Sequence, residues 1–225
     1  MFDASWRDSE KLRAAMIALA RFHAATVDFA TPLTRSVSPG IKQRLEILDQ
    51  SIQALPALDS ALRRSSRPEE FNKVASDILR GFRAGYGSIR VDLSLSKSVE
   101  THLQPVIRDV HADHILYRGN QVSGIIDFGA MNTDTTAVDI SRLLGSLAGD
   151  DAQARHTALA AYQQVVPLDA RQLDLIRTFD RSTVLLSGMN WLRWILLEDR
   201  QFDDFARVLT RLHVTTGRLP HLIKE

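Results

Sequence analysis

Two aspartates, Asp109 and Asp127, stand eighteen residues apart in the stretch from Ile107 to Gly129, each in a turn position beside a short apolar run. Ile115 to Tyr117 has the pattern of a short strand and Val122 to Ile126 that of a returning one, while Gly119-Asn120 between them tolerates positive φ. The spacing predicts a β-hairpin with Asp109 on the loop that enters it and Asp127 on the loop that leaves it. Two acids so placed can face one cleft. Phosphoryl transfer needs such a pair, one carboxylate to orient the accepting hydroxyl and one to hold Mg²⁺ against nucleotide phosphates.

At these residues the sequence resembles the aminoglycoside phosphotransferase family, the kinase-like phosphotransferases that modify small molecules. The motif of that family and of protein kinases runs His-x-Asp, a metal-binding Asn five residues after the Asp, a hydrophobic strand, and Asp-Phe-Gly. Ile107-Arg108-Asp109 stands at its start and Asp127-Phe128-Gly129 at its end. His111 falls where many members have the His of Asp-x-His, and Ala18 to His23 is similar to the family's first C-terminal-lobe helix. The run Ala137-Val138-Asp139-Ile140-Ser141-Arg142-Leu143-Leu144 resembles a helix start whose Asp lies buried under the catalytic loop and bonds its backbone. Here that residue is Asp139.

The resemblance implies a reaction that moves the γ-phosphoryl of ATP to a hydroxyl of a small molecule, with ATP and Mg²⁺ as cofactors. Asp109 would orient the hydroxyl and accept its proton late, Asp127 would bind the metal, and Asp139, Arg108 and His111 would support the loop. The chain departs from the motif twice, with Ile107 at the His position and His114 at the Asn position. Mg²⁺ prefers oxygen to the softer imidazole nitrogen, so either His114 or the neighbouring Asp113 is expected to complete the metal site.

The surrounding elements read as helices. Leu12, Ala15, Met16, Leu19, Phe22 and His23 recur at helical spacing, with Ser5 and Asp8 placed as a capping box. Pro32 and Pro39-Gly40 are expected to break the chain; Ile41 to Pro56 and Leu58 to Leu62 read as two separate helices, and another begins near Pro68. The stretch after Gly85 with Val91, Leu93 and Leu95 fits helix or strand. After Asp139, helices are expected at about 137–148, 151–165, 169–198 and 203–216.

The expected fold is therefore mainly α with a small β-hairpin insert, a protein-kinase-like C-terminal lobe: residues 1–100 helical, 101–130 catalytic loop and hairpin, 131–225 helical. Complete members of the family carry a five-stranded nucleotide lobe before the first helix, so the resemblance implies a truncated chain with that N-terminal lobe absent. Weak nucleotide binding by the chain alone follows, with a missing lobe or an oligomer partner to supply the rest. The alternative is a non-catalytic binding or regulatory remnant of such a kinase.

Composition narrows the partners. A net charge of +1, with no basic run interleaved with aromatics, argues against nucleic acid, and no run of 18 apolar residues suggests a membrane span. The absence of cysteine excludes disulfides and thiol chemistry and suits a cytoplasmic protein. His111, Asp113 and His114 also resemble the end of the metallo-β-lactamase metal motif, but that motif needs a His where Asp109 stands and a strand-rich sandwich around it. His23 is expected as a partly buried packing residue, Trp191 and Trp194 as core, Arg108 as a salt bridge within its loop, and Asp134 as a solvated turn acid or a contact for a cationic substrate.

Overall fold

Helices dominate the computed structural model, which describes residues 9–29 and 35–223. Ser5, Asp8 and Pro32 lie outside the described residues. Helix α1 (Ser9–Thr26) buries Leu12, Ala15, Met16, Leu19, Ala20 and His23, the stripe that its 3.6-residue period dictates. It is followed by strand β1 (Arg35–Val37), helices α2 (Pro39–Arg63) and α3 (Glu69–Ser96), and strands β2 (Glu100–His102) and β3 (Gln104–Val106). A 3₁₀ turn (Ala112–His114) leads into β4 (Ile115–Arg118), β5 (Gln121–Ile125) and β6 (Asn132–Asp134). Helices α4 (Ala137–Ala148), α5 (Ala152–Gln163), α6 (Ala170–Leu192) and α7 (Phe205–Ile223) complete the chain, with a π-helical turn at Arg193–Leu197.

The chain forms two compact units interleaved in sequence: Met1–Ile41 with Ser96–Asp180, and Lys42–Leu95 with Arg181–Glu225. In the second, Leu48, Leu55 and Leu58 of α2 are buried, as are Phe71, Val74, Ile78, Phe82, Ile89 and Leu93 of α3. The two helices expected on either side of Pro56 are one. Pro56 is exposed, and the buried stripe of Leu48, Leu55 and Leu58 runs past it, offsetting the hydrogen bond its ring forgoes. The ambiguous stretch after Gly85 is helical, with Leu93 buried and Val91 and Leu95 exposed. Trp191 and Trp194 are half-buried rather than core; they meet edge-on, with Phe202 against the first and Arg200 over the second.

Besides the hairpin β4–β5, the first unit holds two further antiparallel ladders, β1–β2 and β3–β6. The second of these matters for the site. It pairs Gln104 with Asp134 and Val106 with Asn132, so the strand before Asp109 is zipped to the strand after Gly129. In the hairpin itself Ile115 pairs with Ile125 and Gly119 takes the turn's positive φ of 59°.

Pro39-Gly40 opens α2 instead of breaking the chain, and Asp134 is the reason. It is 1% exposed, which excludes both a solvated turn acid and a substrate contact. Its carboxylate accepts from Ser38 Oγ at 2.5 Å, Gly40 N at 2.9 Å and Thr135 N at 2.8 Å, so an acid from β6 caps the start of α2. A Cβ at Gly40 would stand 2.7 Å from Asp134 Oδ2 and 3.2 Å from the Phe179 ring. Helix propensity alone would reward Gly40→Ala by about 1 kcal/mol, whereas overpacking against a charged cap costs about 1–3. Thermal denaturation should accordingly show Gly40→Ala less stable than wild type.

Candidate active site

Asp139, in the first turn of α4, has no exposed surface, and it is saturated with donors. The backbone N–H of Ile107 donates to its Oδ2 at 2.7 Å and that of Arg108 to its Oδ1 at 2.6 Å, and His23 Nε2 lies 3.2 Å from Oδ2. Arg108 needs this grip, because it holds φ at +67°, a conformation costly to a residue with a Cβ. The next residue is Asp109. Its carboxylate, nearly half exposed, forms an ion pair with Arg142 Nη2. Arg142 follows Asp139 by three positions on α4, so one helix face holds the loop twice, by its backbone and by its acid.

From Asp109 the site continues through two imidazoles. The rings of His111 and His114 stack at a centroid distance of 3.7 Å, and His114 Nε2 lies 3.5 Å from Asp127 Oδ2. The ring of His114 is well covered and its Nδ1 has no hydrogen-bond partner among the described residues. The main chain between the two is tied as well: His114 N donates to His111 O at 2.9 Å and Ile126 N to His114 O at 3.0 Å. Asp127 is the more exposed acid, at 58%, and it too sits at positive φ, 65°. Beside it Ile126, Phe128 and Met131 are exposed, and Phe22 of α1 packs against Phe128 at 5.8 Å.

The structure thus links His111, His114 and Asp127 in one run of contacts, with Asp109 near enough for its charge to act on His111 and with Asp139 holding the backbone just before Asp109. Asp113 is half exposed, with its carboxylate 3.9 Å from His111 Nδ1. Among the described residues no group of three or more His, Asp or Glu could hold a metal ion. Mg²⁺ bound with a nucleotide does not need such a cage, since one or two carboxylates and the phosphates suffice. Arg142 was not singled out from the sequence, although its place three residues after Asp139 on a helix puts both on one face. His23 is 1% exposed with both ring nitrogens bonded, to Asp139 and to Tyr162, and so does more than pack.

Burial lowers the pKa of His111 below the ordinary 6.5, helped by the charges of His114 and Arg142 and partly opposed by Asp109 and Asp113. The folded chain therefore binds fewer protons here than the unfolded chain. The stability this contributes is complete above pH 6.5 and is lost as pH falls below that value toward the folded pKa. An NMR titration should place His111 below 6.5. In His114→Asn the value should rise while staying below 6.5, because burial, the largest cause, remains.

The sequence model of the phosphotransferase enzyme family (APH) matches residues 6–175. The chain belongs to this family. This phosphotransferase-family protein is also similar in fold to solved structures. An aminoglycoside phosphotransferase from Alicyclobacillus acidocaldarius subsp. acidocaldarius DSM 446 superposes with a TM-score of 0.63 at 16% identity, over 96% of this chain and 66% of that one. A glucosamine kinase superposes with a TM-score of 0.57 at 17% identity, over 94% of this chain and 52% of that one. The family member described here thus spans about two thirds and one half of their lengths. No curated protein matches it. Both neighbours share the fold of this chain over the matched parts, and none of its described helices is long and apolar enough to cross a membrane.

Proposed function

We propose that the chain is a small-molecule phosphotransferase that moves a phosphoryl group from ATP to a hydroxyl. The observation that carries this is the run of contacts from His111 through His114 to Asp127, with Asp109 near enough for its charge to act on His111. Arg142 holds Asp109 Oδ1, leaving Oδ2 to accept a hydrogen bond from the acceptor hydroxyl and, late in the reaction, its proton. Asp127, assisted by His114, would hold Mg²⁺; the metal with its nucleotide supplies the phosphoryl group and neutralises charge on its oxygens. Leu116 and Ile126 lie on one face of the hairpin, since Leu116 pairs with Gly124 two residues before Ile126, and both are exposed. With Phe128 they offer a flat apolar surface beside Asp127 for a nucleotide base.

The neighbours' names make amino sugars the first acceptors to test. ADP release from Mg²⁺·ATP should rise on adding glucosamine or an aminoglycoside, and Asp109→Asn should lower the acceptor-dependent kcat by about 10²–10⁴-fold. A second reading, a non-catalytic binding remnant, draws on the same Arg142–Asp109 ion pair, which occupies the acid that would meet the hydroxyl. Nucleotide binding with no acceptor-dependent turnover would favour it.

A further inference from the structure

Asp139 is the end of a longer chain of buried groups. Tyr162 of α5, with no exposed surface, places its hydroxyl 2.7 Å from His23 Nδ1, and the two rings meet edge-on at 5.9 Å. The direction of the bond to Asp139 follows from chemistry. A carboxylate only accepts, so His23 must carry its proton on Nε2, facing Asp139. The other ring nitrogen, Nδ1, is left to bond the Tyr162 hydroxyl. Burial pushes the phenol pKa up, which keeps its proton in place, with the Thr136 side chain partly opposing the shift. Thr136 is the N-cap residue of α4, yet its side chain makes no cap hydrogen bond.

We infer that Tyr162 and His23 are positioning residues for Asp109. They act through Asp139 on the backbone of Ile107 and Arg108, and they fix the strained turn from which Asp109 projects. Helices α1, α5 and α4 each contribute one member, so the packing of the first unit is read out at its loop. Without the Tyr162 hydroxyl, Nδ1 loses its buried hydrogen-bond partner and the imidazole loses the bond that sets its orientation. The His23 contact to Asp139, already the longest of the three that Asp139 accepts, is then the one to fail. Arg108 would be released toward ordinary φ. The consequence for catalysis rests on the phosphotransferase reading; the coupling to the loop does not.

Amide hydrogen exchange of the full chain, followed residue by residue by NMR, tests the coupling without turnover. Tyr162→Phe keeps the ring and removes the hydroxyl. The amides of Ile107 and Arg108 should exchange about tenfold faster than in wild type, beyond any change shared by core amides such as those of Leu19 and Ala158. His23→Leu should do the same, and His23→Gln, which keeps a donor toward Asp139, should restore protection. If Ile107 and Arg108 change only in step with the core, the groups are structural and the inference is overturned. In the ADP-release assay Tyr162→Phe should lower kcat while KM for ATP holds. Loosened loop amides with unchanged kcat would overturn the positioning role. A wild type that transfers nothing would remove the phosphotransferase reading and leave the exchange result to decide the relay.

Discussion

Asp139→Ala should cost about 3–5 kcal/mol of stability, a large part of the roughly 5–15 that a domain of this kind possesses. The side chain is fully buried and accepts from Ile107 N, Arg108 N and His23 Nε2. Alanine leaves those donors without an acceptor in a place water does not reach, at about 1–3 kcal/mol each and less than additively. Arg108 would lose in addition the bond that compensates its positive φ. Asp139→Asn should cost less, since one oxygen remains, but its amide would confront an N–H where an acceptor is needed. Urea denaturation of the three proteins gives the values. A loss below about 1 kcal/mol for alanine would mean that the loop is held by something other than this carboxylate.

Asp127→Ala should leave the fold nearly intact and remove phosphoryl transfer, lowering kcat by about 10³-fold or more, equivalent to about 4 kcal/mol of transition-state stabilisation. The fold survives because the side chain is exposed and its nearest ion partner is His114 at 3.5 Å in partly solvated surroundings. Its positive φ separates the two properties further. Asp127→Gly relieves that strain, so it should match or exceed wild-type stability while losing the same activity. His114→Asn is the contrasting change. It exchanges an imidazole for an amide oxygen that suits Mg²⁺ better, and activity should be kept or improved with Mg²⁺ relative to Mn²⁺. Rates for each variant with both ions make the comparison.

Which parts of this arrangement could be read from the sequence follows from the range of the interactions involved. The hairpin was legible because Gly119-Asn120 lies between two apolar runs, and its strands fall within one residue of those expected. The buried place of Asp139 under the loop followed from resemblance, and the structure adds the bonds. The ladders β1–β2 and β3–β6 were not legible: three-residue strands such as Gln-Pro-Val and Asn-Thr-Asp have no alternation to detect, and their partners are distant in sequence. Pro39-Gly40 read as a break because its cap, Asp134, comes from 94 residues away. The bond between Tyr162 and His23 spans 139 residues, and although His23 lies on a legible helical stripe, nothing local pairs it with Tyr162. Arg142 was within reach, since a helical i, i+3 relation to Asp139 is local.

The central claim is that Asp127 and the loop of Asp109 together receive a metal-bound nucleotide. Titrating Mn²⁺·ATP into the isotope-labelled chain tests this most directly, because a paramagnetic ion broadens the amides nearest to it even when binding is weak. At low substoichiometric Mn²⁺·ATP the amides of Asp109, His114 and Asp127 to Gly129 should broaden first, and Asp127→Ala should abolish the effect. Broadening that spares these residues, or that persists unchanged in Asp127→Ala, would contradict it.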